Sequence, residues 1–170
     1  WAKRLYYEHA ANVPMILLGS RDGRVPHHTI DHRLVGWQDV MPTLLDLADI
    51  DIPSSVAGKS LAPVLRGESA DHKDAVFSAV NLKDNLLRSI RTRTHRLSYG
   101  YETDSGVTGE IFDLTKDPAE QFNRYSAQAY APVRQELFEA LFQGEAAHGY
   151  KLHSDRPEFG WRHPVSQHLY

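Results

Sequence analysis

Lys3 places an ammonium at the head of the run Lys3-Arg4-Leu5-Tyr6-Tyr7-Glu8-His9-Ala10-Ala11-Asn12-Val13-Pro14, just before a strongly apolar stretch. A cation held there in a water-poor cleft can stabilise negative charge as it builds on ester oxygens during bond cleavage. His9 follows six residues later and has two readings, one facing a pocket and one capping a helix end, because imidazole takes many roles near neutral pH. His27, His28 and His32 offer a third cluster, and imidazole is a common zinc ligand. Their spacing is loose and no carboxylate pattern completes it, so they read as a polar loop, and no metal site is assigned within this segment. The absence of cysteine excludes disulfides and thiolate metal sites here.

The elements that must position these groups follow from composition and periodicity. The 170 residues, 41% apolar and 24% charged, suffice for a globular domain with its own core. Net charge is −3 with both signs interspersed, which provides no electrostatic footprint for nucleic acid or an anionic membrane, and no apolar run reaches the roughly 20 residues of a membrane span. Residues 13–19 form a continuous apolar run closed by Gly19, as expected of a strand buried on both faces of a mainly parallel sheet. From Trp37 the apolar positions Val40, Met41, Leu44, Leu45, Leu47 and Ala48 approach helical periodicity, with Asp39 as N-cap and Pro42 in the first turn, predicting a helix that packs on that sheet.

Residues 51–67 carry two prolines and two glycines and read as an irregular connection with a helical turn near Leu61 to Leu65. Four β-prone runs follow at 75–80, 86–91, 96–101 and 110–114, spaced as an antiparallel meander would be. Pro132 then opens a helix with Val133, Leu137, Phe138, Leu141 and Phe142 on one face, and Gly144 is placed to stop it. Beyond residue 145 there is no periodicity, so an extended tail is expected. Its His148, His153, Trp161, Arg162, His163 and His168 suit either a substrate pocket or contact between copies of the chain; aromatic and Arg enrichment at interfaces favours the homo-oligomeric reading. The resulting division is 1–67, 68–144 and 145–170.

Three segments in order carry a resemblance. The first run reduces to K-x-x-x-Y-E-x-x-x-x-V-P. The second is Leu34-Val35-Gly36-Trp37-Gln38-Asp39-Val40-Met41-Pro42-Thr43-Leu44-Leu45-Asp46-Leu47-Ala48, followed by Pro53 and Gly58-Lys59-Ser60-Leu61. The third is Ser89-Ile90-Arg91-Thr92, Arg96-Leu97 and then Glu110-Ile111-Phe112-Asp113-Leu114-Thr115-Lys116-Asp117-Pro118-Ala119-Glu120-Gln121-Phe122-Asn123. Together they resemble the C-terminal part of type I sulfatases of the alkaline phosphatase superfamily, with Arg96 where the family often has Lys. Residue types alone explain Asp39, Thr43 and Asp46 as cap and helix-surface positions, and Glu120 and Asn123 as partners for nearby backbone around the Asp117-Pro118 turn.

The resemblance implies an α/β fold: the C-terminal part of a sulfatase-like sandwich core, then a small antiparallel sheet with a packed C-terminal helix. It implies that Lys3 contacts sulfate as the catalytic cation; His9, by its position after Lys3 rather than by the resemblance, is the second substrate-side candidate. It further implies a formylglycine nucleophile and a Ca²⁺ or Mg²⁺ whose ligands lie outside this chain, since no C/S-x-P-x-R motif and no Gly-Asp-His-Gly-type turn occur in it. A longer protein is therefore expected, acting on a small-molecule or carbohydrate sulfate ester. A phosphonate monoesterase or phosphodiesterase of the same superfamily is the nearest rival, and a non-catalytic binding module is the reading from a different class. The compartment is left open.

Overall fold

The computed structural model describes residues 5–19, 23–26, 28–69, 71–82, 85–103 and 106–147. A single helical turn, α1 (Glu8–Ala11), leads into a segment without regular secondary structure. A 3-10 turn at Trp37–Asp39 runs into α2 (Val40–Leu47), and α3 (Ala62–Leu65) closes the irregular connection where a short helical turn was expected. The meander β1 (Ala75–Leu82), β2 (Asn85–Thr92), β3 (His95–Thr103) and β4 (Gly106–Asp113) forms one antiparallel sheet in sequence order, with a bulge between Tyr99 and Tyr101. The last helix is α4 (Ala131–Ala147).

Register gives the sheet two different faces. Arg88 pairs with Tyr99, Ile90 with Leu97, and Leu97 with Ile111, so these side chains share one face. Ile90, Leu97, Tyr99 and Ile111 form the core with Leu137, Phe138 and Leu141 of α4. Burying several such side chains, each worth about 1.5–3 kcal/mol, makes this the main apolar anchor of the fold. The opposite face carries Ser89, Arg91, Arg96, Ser98, Glu110 and Phe112, as the pairs Ser89 with Ser98, Arg91 with Arg96, Arg96 with Phe112 and Ser98 with Glu110 require.

Three local expectations change. Gly144 does not stop the last helix, which continues to Ala147; a Cβ at this position would collide with the Phe77 ring. Its absent side chain admits an aromatic ring from β1, a packing role that outweighs the cost of roughly 1 kcal/mol for glycine in a helix. Because α4 reaches Ala147, the expected tail starts inside a helix, and its residues 148–170 lie outside the described ones. Residues 13–19 form no strand and pair with none, with Ile16 79% and Leu18 93% exposed. A buried strand needs neighbouring strands for its N–H and C=O groups, and the described residues provide none beside it.

The helix α2 departs in the same direction. Trp37, Met41 and Leu44 recur at helical spacing and remain exposed, Trp37 at 81%. The buried side is instead Asp39, Pro42 and Thr43, packed toward Leu61 and Ala62. The apolar stripe predicted to pack on a parallel sheet is present, but among the described residues no sheet covers it.

Candidate functional site

The segment that includes Tyr7 and Glu8 crosses the second face of the sheet. The Tyr7 hydroxyl donates to Glu110 Oε1 at 2.7 Å, and its ring meets Phe112 edge-on at 5.8 Å. The Glu8 backbone N–H donates to Glu120 Oε2 at 2.6 Å. The Glu8 carboxylate accepts from Arg91 Nε at 3.0 Å, from an Arg96 terminal nitrogen, and from Asn12 Nδ2 at 3.1 Å. Arg96 Nε lies 2.6 Å from Glu120 Oε1, a charge contact that lacks hydrogen-bond alignment. Both partners of that contact are buried, so residues 7 and 8 are tied to three strands and a turn by groups largely shielded from water.

The electrostatics follow from this arrangement. Burial pushes the Tyr7 phenol up, and the Glu110 hydrogen bond adds to it, bringing it to about 12. Burial also pushes the Glu8 carboxyl up. The hydrogen bond and charge of Arg91, with the charge of Arg96, outweigh it and hold Glu8 below its ordinary value, so it is ionised at neutral pH.

Glu120 itself occupies the left-handed region at φ 55, an uncommon conformation for a residue with a side chain. It was expected to bond nearby backbone; instead its carboxylate reaches back to Glu8, 112 residues away in sequence. Asn123 does act locally: its Oδ1 accepts from the Ile111 and Tyr125 N–H groups at 3.1 and 2.9 Å, and its Nδ2 donates to Gly109. Asp117 accepts from Gln121 and Phe122 N–H groups, fixing the turn that follows it.

A second buried cluster surrounds Asp39. Its side chain makes no cap bond to α2, contrary to expectation, but turns back to accept from Gly36 N–H at 2.8 Å and across to Lys59 N–H at 2.9 Å. Lys73 Nζ donates to the same carboxylate at 2.7 Å, and His72 Nε2 lies 3.4 Å away. Burial raises the Asp39 carboxyl, and the Gly36 and Lys73 hydrogen bonds more than reverse that, leaving it below its ordinary value. Burial lowers His72, which keeps the ring neutral; Nε2–H facing the carboxylate leaves Nδ1 as a bare acceptor rather than a bare donor.

Thr43 Oγ1 donates to Asp39 C=O and accepts from Leu61 N–H, while a Cβ on Gly58 would strike the Gln38 carbonyl. The residues of the second motif thus interlock with one another rather than presenting themselves to a ligand. A hollow of about 340 Å³ beside them is lined by Ala57, Lys59, Lys73, Asp74, Ala75 and Phe77, but Lys59 Nζ is engaged with the His72 carbonyl and Lys73 with Asp39.

Lys3 lies outside the described residues, as do His27 and the tail histidines. His9 stands exposed in α1, one residue after the clamped Glu8. His28 and His32 are exposed, and among the described residues no group of three or more His, Asp or Glu is gathered to hold a metal ion. No helix among these residues is long and apolar enough to cross a membrane. What sequence reasoning missed was the meeting of Glu8, Arg91, Arg96 and Glu120. The available signal was that Arg91 and Arg96 fall on the sheet face opposite the α4 core, where a charged pair needs a partner.

Residues 1–147 match the family model described as N-sulphoglucosamine sulphohydrolase, C-terminal. The chain belongs to this family. The Delta 4,5-hexuronate-2-O-sulfatase of Bacteroides thetaiotaomicron is 33% identical over 140 residues, covering 75% of this chain and 27% of that protein. A protein solved in complex with its substrate D-glucosamine-2-N,6-O-disulfate superposes with TM-score 0.59 at 28% identity, covering 66% of this chain and 24% of its own. The phosphonate monoester hydrolase of Agrobacterium radiobacter gives TM-score 0.59 at 26% identity over 69% of this chain and 26% of that one. The chain therefore spans about a quarter of the length of the relatives it matches. The α/β fold with an antiparallel sheet and packed C-terminal helix is shared with these solved structures.

Proposed function

We propose that this chain is the C-terminal portion of an enzyme that hydrolyses sulfate esters, with Lys3 as the cation that stabilises charge on the sulfate or its leaving oxygen. The observation that carries this reading is the family match extending back to residue 1, so that it includes Lys3 and the clamped Tyr7-Glu8 pair. The exposed run at 13–19 and the exposed Trp37, Met41 and Leu44 stripe support it, because both are surfaces that a larger α/β core would cover. The proposed division is residues 1–67 with that core and 68–147 as the sheet-and-helix subdomain, the expected boundary at 144 moving to the end of α4, with the remaining residues suited by composition to contact between copies of the chain.

A formylglycine nucleophile and a Ca²⁺ or Mg²⁺ belong to this reading as contributions from outside the chain. Among the described residues no three His, Asp or Glu gather to hold a metal ion, and the sequence carries no C/S-x-P-x-R motif, so this segment supplies neither group. In this reading Lys3 supplies the positive charge. His9, exposed beside the clamped Glu8, is the proposed second contact to substrate. Sulfated carbohydrate is the substrate class suggested by the relatives named above, one a hexuronate sulfatase and one bound to a sulfated glucosamine.

Replacing Lys3 by Ala in the complete enzyme should lower aryl sulfate turnover by roughly 10²-fold or more with the fold intact, the usual loss for an oxyanion-stabilising group. Unchanged turnover overturns the assignment. Phosphonate monoester hydrolysis is the second reading, favoured by the Agrobacterium neighbour. Comparing kcat/KM for an aryl sulfate and an aryl phosphonate monoester decides between them.

A further inference from the structure

We infer that His72, with Asp39 and Lys73, forms an acid-released latch. It holds the block of α2 and α3 against the chain entering the sheet, and protonation of the His72 ring opens this joint while the sheet and α4 stay folded. Such a latch is independent of the sulfatase reading of Lys3.

Apolar packing does little at this joint. Among the described residues α3 packs on α2, and the strands pack on one another and on α4, while neither α2 nor α3 packs broadly on a strand. The hollow of about 340 Å³ lies between the two parts, with Ala57 and Lys59 on one side and Lys73, Asp74, Ala75 and Phe77 on the other. The ties that span the joint are polar: the Asp39 carboxylate with Lys73 Nζ at 2.7 Å and with His72 Nε2 at 3.4 Å, and Lys59 Nζ with the His72 carbonyl. In the connection, Gly67 holds φ 73 with open space where a Cβ would stand, a point at which the chain can pivot.

The latch is sensitive to acid because of where the ring sits. His72 is 3% exposed, and its Nδ1 is buried without a hydrogen bond. A neutral ring leaves that atom as an unmet acceptor; protonation would turn it into a buried donor with no acceptor, which costs more. Three charged groups among the described residues face the ring: Asp39 from the 3-10 turn, Lys59 from the connection and Lys73 from its own segment. Burial disfavours the charged ring, and the two lysines add to it, outweighing the pull of Asp39 and holding His72 below its ordinary value. Once the joint opens into water, the ring regains an ordinary affinity for the proton. The closed joint is therefore favoured above about pH 6.5 and is lost progressively as pH falls below it. Asp39 adds its own loss only below about pH 4, so a change between pH 7.5 and 5.5 reports His72.

Hydrogen–deuterium exchange in the complete enzyme, corrected for the intrinsic pH dependence of exchange, tests the latch. The Gly36 and Lys59 amides both end on the Asp39 carboxylate. Their opening should rise roughly 3- to 10-fold from pH 7.5 to 5.5, the response of one proton, while the amides of β2 and β3 keep their protection. His72→Gln retains an amide donor for Asp39 but takes up no proton, and it should flatten this rise to less than about 2-fold. A wild-type rise below about 2-fold, a parallel loss of protection in β2 and β3, or an undiminished rise in His72→Gln overturns the latch. If circular dichroism finds His72→Gln unfolded, the wild-type contrast between the joint amides and those of the sheet decides by itself.

Discussion

Asp39→Asn should destabilise the protein strongly although it changes a single atom type. The Asp39 carboxylate is fully buried and accepts at both oxygens: Oδ2 takes the Gly36 N–H and faces His72, and Oδ1 takes the Lys59 N–H and the Lys73 ammonium. An amide must turn its NH₂ toward one of these pairs. The less costly orientation faces Gly36, which loses that charge-assisted bond, leaves a buried N–H without an acceptor, and strips Lys73 of its counter-charge. Together these amount to about 2–4 kcal/mol. At ~2–4 °C per kcal/mol for a domain of this size, the melting temperature should fall by roughly 5–15 °C.

The pH dependence provides an independent reading. Because the folded Asp39 pKa is lowered, its contribution is present above the unfolded carboxylate value near about 4 and is lost as pH falls through the folded value. His72, also lowered, begins to cost stability below about pH 6.5. The difference between wild type and Asp39→Asn is therefore read below about pH 4, where it should shrink. Thermal melting by circular dichroism from pH 3 to pH 8 measures both effects. A variant within about 1 kcal/mol of wild type at pH 7, or a difference that does not narrow in acid, refutes the role assigned to this cluster.

Two further substitutions probe close approaches. Gly58→Ala should cost about 1–3 kcal/mol by overpacking, because its new methyl group meets the Gln38 carbonyl, which is backbone and cannot rotate away; a melting temperature equal to wild type would contradict this. Gly144→Ala improves helix propensity by about 1 kcal/mol yet should still lower the melting temperature through its collision with Phe77. The same Gly144→Ala change made in a Phe77→Leu background should be neutral or stabilising, and an equal loss in both backgrounds would remove Phe77 as the cause.

Much of the C-terminal half was legible because its signals are local. Alternation and polar breaks mark the four strands of the meander, and 3.6-residue spacing marks α4; a strand or helix commits its side chains to faces within a few residues. Gly144 was misread for the same reason: a glycine near a helix end resembles a stop until the Phe77 ring from β1 is seen against it. Asp39 likewise resembles an N-cap by position, and only the folded chain brings Lys59, His72 and Lys73 around its carboxylate.

The residues 13–19 mark the limit of local reading. Their apolar run has strand character, yet strand formation depends on backbone partners, which the run cannot supply for itself. The sequence by itself determined family membership, the meander and the last helix, and it nominated Lys3 as the proposed sulfate contact. Tertiary structure alone decided that Glu8 meets Arg91, Arg96 and Glu120, residues 83, 88 and 112 positions away. The physical reason is that an ion pair has no periodicity: which buried charge meets which is set by where the sheet, the turn and the crossing segment are brought together.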